Sequence, residues 1–237
     1  MTTCRRLNLF KQTMESFRRV CRDQDLIKHW IIADDGSDEA DIEEMRKLCP
    51  EFAILRSPQR GQADNLNTLF GAVETEWFFH CEDDWLFFRE GNFIRKMFDV
   101  AFDDPKIKNV TLRHWTGNEV ESKKTSGLRY NVHKFSQFDF GGRTLEDMEE
   151  WSAKTNCNWF GYTLNPGLQH LPTVKRLGPY ERWTKSLGYG HMGKENERCF
   201  DRPQAIKYLT MGYKTANLAE EYIRHIGEDV SAYTISR

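Results

Sequence analysis

The sequence predicts a single α/β domain whose central, mostly parallel sheet is flanked by helices. Three observations carry this. Short apolar runs alternate with helical stretches through residues 1–90, as in βαβ units. Each run stops abruptly at acids or turn residues, as a buried strand does when it meets a loop. The length of 237 residues suits one domain, and 16 Phe, 8 Tyr and 7 Trp supply a large apolar core.

The elements follow in order. Leu7, Phe10, Met14 and Phe17 fall at helical spacing and predict an amphipathic helix over residues 6–20. Trp30-Ile31-Ile32-Ala33 is a strand that ends at Asp34-Asp35-Gly36-Ser37. A helix from Glu39 to Leu48 follows, with Ser37 as its candidate cap and Pro50 beyond its end. Phe52 to Leu55 is a second strand. Gly61 precedes a helix with Ala63, Leu66, Phe70 and Val73 on one face, and Trp77 to Cys81 is a third strand running into Glu82-Asp83-Asp84. The second half is less regular. Val110 to Leu112 reads as a strand, residues 114–158 as loops and short strands, and Trp159 to Leu164 as a strand ended by Asn165-Pro166-Gly167. Pro172 to Leu177 reads as a helix closed by Gly178. Asp201 to Met211 reads as a helix capped by Asp201 and followed by Gly212. Thr215 to Leu218 and Tyr222 to His225 are the last predicted strands.

Composition excludes several function classes. Lys plus Arg is 34 and Asp plus Glu is 36, a net charge of −2, without the basic excess of a nucleic-acid binder. No run approaches the roughly 20 apolar residues of a membrane span. Thr2-Thr3-Cys4-Arg5-Arg6 offers no apolar signal-peptide region. Cys4, Cys21, Cys49, Cys81, Cys157 and Cys199 are widely spaced without metal-site patterns, so they read as free thiols in a reducing, cytoplasmic setting.

In a parallel sheet, ligands gather beyond the carboxyl ends of the strands. Both acidic clusters are expected there. Three adjacent carboxylates at Glu82-Asp83-Asp84 repel one another, and a divalent cation relieves that repulsion; oxygen ligands suit Mg²⁺ or Mn²⁺, which share their shell with a diphosphate. The plain alternative is a solvated acidic loop, against which the flanking Phe79, Trp85, Phe87 and Phe88 argue. Asp34-Asp35-Gly36-Ser37 is either an ordinary turn or a nucleotide pocket. His225 is a candidate ligand or a structural histidine. Asp201 is a plain helix cap or an ionised general base, with Glu195 and Glu197 as rivals just upstream.

Taken in order, these motifs resemble the GT-A class of nucleotide-sugar glycosyltransferases, in particular the family 2-like enzymes. Thr2 to Arg6 is similar to the end of that family's first strand. Asp34-Asp35-Gly36-Ser37 matches its DDGS loop, Gly61 and Asn65 match the Gly and Asn at the following helix start, and Glu82-Asp83-Asp84 resembles its DXD motif with Glu in the first place. Cys199-Phe200-Asp201 through Gly212-Tyr213 resembles the late acidic motif, its helix and the terminal GY. His225-Ile226-Gly227 matches a late metal-binding histidine. Two features depart from the pattern. Met1 directly precedes Thr2, where members carry an apolar first strand, and Phe200 stands where Glu often precedes the catalytic Asp.

The resemblance implies a GT-A-like (Rossmann-like) domain, with residues 1–90 as its nucleotide-binding half and residues 91–237 as its acceptor-binding and catalytic half. It implies donor contacts from Thr3, Asp34, Asp35, Gly61, Asn65, Glu82 and Asp83, and Mn²⁺ or Mg²⁺ on Asp84 and His225. Asp201 would be the base of an inverting hexosyl or related transfer from a UDP- or GDP-sugar to a hydroxyl of a glycan, lipid or protein. Trp159, Tyr162 and Trp183 are candidate sugar-stacking aromatics by residue type, with core packing the favoured fate of each. Two rival readings are a nucleotidyltransferase, for which a Gly-rich phosphate loop with Lys is missing, and an inactive nucleotide-sugar-binding module.

Overall fold

The computed structural model describes residues 1–57, 61–115, 120–133, 161–181 and 202–227. Its first sheet is parallel, in the order β1 (Thr2–Thr3), β2 (Trp30–Asp34), β3 (Phe52–Arg56). Helix α1 (Leu7–Val20) and helix α2 (Glu39–Leu48) cover one face, where Phe10, Met14, Ile32, Ile42 and Met45 are all buried. Helix α3 (Gln62–Ala72) covers the other with Leu66 and Phe70 against Ala33. The three- and four-residue spacing on α1 and the alternation on β2 place these side chains inward.

The second sheet has the order β4 (Trp77–His80), β9 (Gly167–His170), β6 (Ile107–Thr111), β10 (Lys214–Leu218), β8 (Leu128–His133), β7 (Val120–Thr125). Of its pairings only β6 with β10 is parallel, so the parallel sheet expected from the sequence is confined to the first half and the second half is mixed. The β7–β8 hairpin turns through Ser126 and Gly127 at φ 46° and 87°, the two positive values a tight hairpin turn requires. Helix α4 (Phe93–Asp103) packs on this sheet with Phe93, Ile94, Met97, Val100 and Ala101 buried. Helix α5 (Leu171–Leu177) and helix α6 (Arg202–Thr210) extend the layer of α3. A short ribbon of β5 (Trp85–Phe87) and β11 (Ile223–His225) completes the structure.

Two expectations are corrected. The strand expected over Trp159 to Leu164 does not form over its described part: residues 161–164 are irregular, and the strand is Gly167–His170. Gly167 lies so close to β6 that a Cβ there would collide with the Val110 carbonyl and stand 2.8 Å from Thr111 Cα. The glycine that looks like a turn signal is thus a packing requirement of a strand. The cap of α2 is Asp38, which accepts the Asp41 N–H at 2.8 Å, while Ser37 is turned toward the site. Tyr162 is buried, its hydroxyl on Gln169 at 2.9 Å, so core packing, the favoured fate of these aromatics, holds for it. Trp159 and Trp183 lie outside the described residues, as do Cys157 and Cys199; Cys4, Cys21, Cys49 and Cys81 are free. No helix among the described residues is long and apolar enough to cross a membrane.

Candidate functional site

The site lies where β1, β2 and β4 end. Thr3 is the last residue of β1, Asp34 the last of β2, and Glu82-Asp83-Asp84 follows β4. Three backbone and side-chain ties lock the ends of β1 and β2 and the start of α3 together. The Asp35 N–H donates to the Thr3 carbonyl at 2.9 Å, the Arg5 N–H donates to Ser37 Oγ at 2.9 Å, and Asn65 Nδ2 donates to the Thr3 carbonyl at 3.2 Å. Arg5 takes φ 49°, which turns the chain from β1 into α1. Helix α1 then holds the acidic segment from below. Thr13 Oγ1 donates to the Asp83 carbonyl and accepts from the Trp85 N–H, and Ser16 Oγ accepts from the Phe87 N–H at 3.1 Å. The hydroxyls take the place of a neighbouring strand for this stretch of backbone.

The two acidic clusters are held differently. Asp34 is fully buried; its Oδ2 accepts from the Ser37 N–H at 3.0 Å and lies 3.3 Å from Arg56 Nε. Asp35 accepts the Gly61 N–H on both carboxylate oxygens, at 3.1 and 3.0 Å. Gly61 takes φ +127°, so the start of α3 is fixed to the DDGS loop at a residue free to adopt that conformation. Asp83 is buried and accepts from Thr3 Oγ1 at 2.8 Å, from the Cys4 N–H at 3.3 Å and from Arg6. Asp84 Oδ2 accepts from Arg6 Nη1 at 2.8 Å and lies 3.2 Å from His225 Nε2. Glu82 accepts from Gln62 Nε2 at 3.2 Å and Trp85 Nε1 at 3.3 Å.

The β5–β11 ribbon brings His225 to this place. His225 pairs with Trp85 in register, their rings 5.1 Å apart, and the Ile226 N–H donates to the Asp84 carbonyl at 2.9 Å. Gly227 closes against Asp84: a Cβ at this position would stand 2.7 Å from Asp84 Oδ2 and 2.8 Å from its Cβ. Sequence alone singles out Asp84 and His225, and the structure joins them. It also joins Thr3, Asn65 and Asp83 in one network, and Asp35 with Gly61. It holds Asp34 apart, against Arg56. Asp201, Glu197 and Glu195 lie outside the described residues.

Electrostatics set the three carboxyls apart. Burial pushes Glu82 up to about 8, with the charge of Asp84 adding to the shift. Burial likewise raises Asp83 to about 6, against the pull of Arg6. For Asp84, burial also opposes ionisation, but His225 and Arg6 outweigh it and hold the group below the usual carboxylate range. Of the three, Glu82 is the one that favours its neutral form at neutral pH, and Asp84, facing His225, is the one held most firmly ionised.

Arg6 answers part of the repulsion argument made from the sequence, because its guanidinium bridges Asp83 and Asp84. Its role was not legible, since only the fold puts the residue before α1 against the acids after β4. Gln62, Thr13 and Gly227 were missed for the same reason; the HIG triplet was the one available signal for Gly227. Among the described residues no group of three or more His, Cys, Asp or Glu side chains is arranged to hold a metal by itself. The pair Asp84 and His225 nonetheless fits a divalent ion whose shell a diphosphate completes. Asp84 Oδ1 is buried and without a hydrogen-bond partner among the described residues, and the pair offers one oxygen and one nitrogen donor.

Comparison with solved structures agrees with this architecture. The chain superposes on residues 1–349 of TarS from S. aureus with a TM-score of 0.54, at 7% identity, over 94% of this chain and 59% of that one. It superposes on GalNAc-T7, solved with UDP, GalNAc and Mn²⁺, with a TM-score of 0.56, at 12% identity, over 94% of this chain and 42% of that one. At such identities the likeness is one of fold, the GT-A fold, and the chain spans well under two thirds of either protein. No curated protein matches the chain in sequence. Residues 1–161, which include the DDGS loop, the Gly61–Asn65 helix start and the acidic triplet, match the family described as Glycosyl transferase family 2. The chain belongs to that family.

Proposed function

We propose that the protein is a metal-dependent, inverting glycosyltransferase that moves a sugar from a nucleotide-sugar donor to an acceptor hydroxyl. The observation that carries this reading is the pairing of Asp84 with His225 at 3.2 Å, at the strand ends of a family 2 chain. Family membership favours it over a nucleotidyltransferase. GalNAc-T7, solved with UDP and Mn²⁺, supports a donor of the UDP-sugar class and Mn²⁺ as the ion, with a GDP-sugar and Mg²⁺ as the alternatives. The acceptor hydroxyl belongs to a glycan, a lipid or a protein. The four cysteines among the described residues, all free, support work in a reducing compartment, the cytoplasm.

In this mechanism Asp84 and His225 hold the metal, and Gly227 gives Asp84 the room to do so. When bound, the ion supplies positive charge to the departing nucleoside diphosphate. Asp35, held by Gly61, shapes the wall that receives the nucleoside, and Glu82 and Gln62 flank it. Thr3 and Asp83 act by position, since the Thr3 hydroxyl is committed to Asp83 and Asp83 also takes the Cys4 N–H and Arg6, and Asn65 Nδ2 holds the Thr3 carbonyl. Asp34 acts with Ser37 and Arg56 to fix the loop. Asp201 takes the proton from the acceptor hydroxyl as that oxygen attacks the anomeric carbon from the face opposite the leaving group, which inverts the configuration.

Calorimetric titration with UDP and GDP, with and without Mn²⁺, tests the reading, followed by a screen of nucleotide sugars. Mn²⁺-dependent binding of one nucleotide and transfer of its sugar are expected. Binding without transfer to any acceptor would leave the inactive binding module, and binding indifferent to divalent ions would remove the metal from the mechanism.

A further inference from the structure

Strands β4 and β6 run parallel to each other on either side of β9, with His80 and Thr111 both in register with Gly167. Two residues past His80 stands Glu82, in the acidic segment of the site, and two residues past Thr111 stands Arg113. Both segments leave the sheet at the same end, from strands two spacings or about 10 Å apart. The backbone at Arg113 is fixed: its N–H donates to Thr111 Oγ1 at 3.1 Å, and Thr111 Oγ1 donates to the Pro166 carbonyl at 3.3 Å. The guanidinium lies over the Trp115 ring, 4.7 Å from its centroid. Trp115 is held in turn, its carbonyl accepting from Asn131 Nδ2 at 3.2 Å and its ring set edge-on to His133 at 5.6 Å. Arg6, Arg18, Arg22 and Arg56 each face a carboxylate. Arg113 faces none among the described residues, and burial lowers its pKa with no acid to offset the loss. A guanidinium still keeps its charge at neutral pH.

We propose that Arg113, laid on Trp115 where β6 ends, binds an oxyanion of the substrate, a phosphate or carboxylate carried by the acceptor or by the transferred sugar and separate from the diphosphate at Asp84. The role as a substrate contact rests on the glycosyl-transfer reading above. Three observations lead to it. A guanidinium held by an aromatic ring gives up none of its N–H donors, so its fork remains available for a planar or tetrahedral oxyanion. An uncompensated cation in crowded surroundings is costly, and an anionic ligand repays that cost where a neutral hydroxyl does not. The diphosphate has its own place at Asp84 and His225, on the segment that follows β4, whereas Arg113 follows β6 on the far side of β9. The supports of Arg113 come from β6 and β8 alone, through Thr111, Asn131 and His133, and share no residue with the metal pair.

The test titrates the chain with inorganic phosphate, alone and with UDP and Mg²⁺ filling the diphosphate place. The readout is the Arg113 side-chain Nε–H resonance, assigned by its absence in Arg113→Gln. A saturable shift is expected in both conditions. Arg113→Gln should weaken phosphate binding by about tenfold and leave UDP–Mg²⁺ affinity and Tm nearly unchanged. Arg113→Lys should fall between, since it keeps the charge and loses the fork. Two matched pairs then locate the oxyanion: UDP-glucuronate against UDP-glucose for the transferred sugar, and glucose 6-phosphate against glucose for the acceptor. In one pair the charged member should bind about tenfold tighter, and Arg113→Gln should erase the difference. No saturable shift at Arg113, or no preference for charge in either pair, overturns the proposal. So does a tenfold loss of UDP affinity in Arg113→Gln, which would give the residue to the diphosphate. Failure of UDP to bind the parent chain is a different result: it strikes the glycosyl-transfer reading, while phosphate at Arg113 remains measurable.

Discussion

The two acidic clusters at the strand ends look alike in sequence and are bound in opposite ways. Asp35 is held by the backbone N–H of Gly61, and Asp34 by that of Ser37 with Arg56 Nε 3.3 Å away, so their carboxylates brace a loop. Asp84 is held by side chains, Arg6 and His225, which can turn away without unmaking the fold. Carboxylates tied to backbone serve architecture, and carboxylates tied to movable cations remain open to exchange with a ligand. Asp83 stands between these cases, with Thr3, the Cys4 N–H and Arg6 on it together.

The largest expected effect belongs to a carboxylate outside both clusters. Asp201→Asn should lower turnover by on the order of 10²–10⁴ while leaving donor affinity nearly unchanged, as expected for loss of a general base. The motivation is its place in the sequence before the α6 helix and the closing Gly212. Steady-state kinetics beside donor titration separates the two quantities. Parent-rate transfer by Asp201→Asn with a dead Glu197→Gln would move the base upstream.

Next comes the exchangeable cluster. Asp84→Asn should weaken Mn²⁺-dependent nucleotide binding by about a hundredfold, and His225→Ala by about tenfold, with Tm little changed for His225→Ala. Titration calorimetry decides it; undiminished Mn²⁺-dependent affinity in Asp84→Asn removes the residue from the site. Gly227→Ala touches no ligand atom by its own chemistry, yet its methyl group displaces Asp84. A loss of about tenfold in the same titration is expected, and unchanged affinity would show that the position of Asp84 is not critical.

The braced cluster should respond in stability. Asp34→Ala leaves the Ser37 N–H without its acceptor at a cost of about 1–3 kcal/mol, and Tm should drop by roughly 2–4 °C for each of those kcal/mol. If Asp34→Ala instead keeps its Tm and loses nucleotide affinity as Asp84→Asn does, the contrast between the clusters is broken.

The smallest effect near neutral pH comes from His80, which lies just before the acids. Burial is the main cause of its fall to about 3, and its Nδ1 lies 2.7 Å from the Leu164 carbonyl. Between about 6.5 and 3 the unfolded chain binds a proton there that the folded chain refuses. Stability from this group is therefore complete above about pH 6.5 and falls as pH drops, by about 2 kcal/mol at pH 5. Denaturant melts at pH 7, 6 and 5 measure the slope, and His80→Gln should flatten it; an equal slope in that variant places the acid sensitivity elsewhere.

The first half was legible because its signals are local. Leu7, Phe10, Met14 and Phe17 state a helix, and Trp30 to Ala33 state a strand, each without help from distant residues. The second half was harder for a physical reason. Gly167 belongs to a strand because β6 leaves no room for a Cβ, which no local pattern reveals. Helix α4 carries a local pattern of its own, in Phe93, Met97 and Val100. In the site, the motif acids and His225 were visible one by one. Their partners were not, since Arg6 meets Asp84 from 78 positions away and Thr13 meets Asp83 from 70.

The β5–β11 ribbon makes the site a late event in the life of the chain. Its neighbours are remote in sequence: Arg89 bonds the Glu221 carbonyl across 132 positions, and Lys96 bonds the Tyr222 hydroxyl across 126. Closing so long a loop costs more entropy than closing the short ones in the first half, and its reward arrives only at the end. During synthesis the first sheet and its three helices can assemble while Asp84 still has no histidine beside it. The chain can thus hold a folded first half while Asp84 still lacks His225, and the proposed metal pair forms only with the docking of one three-residue strand.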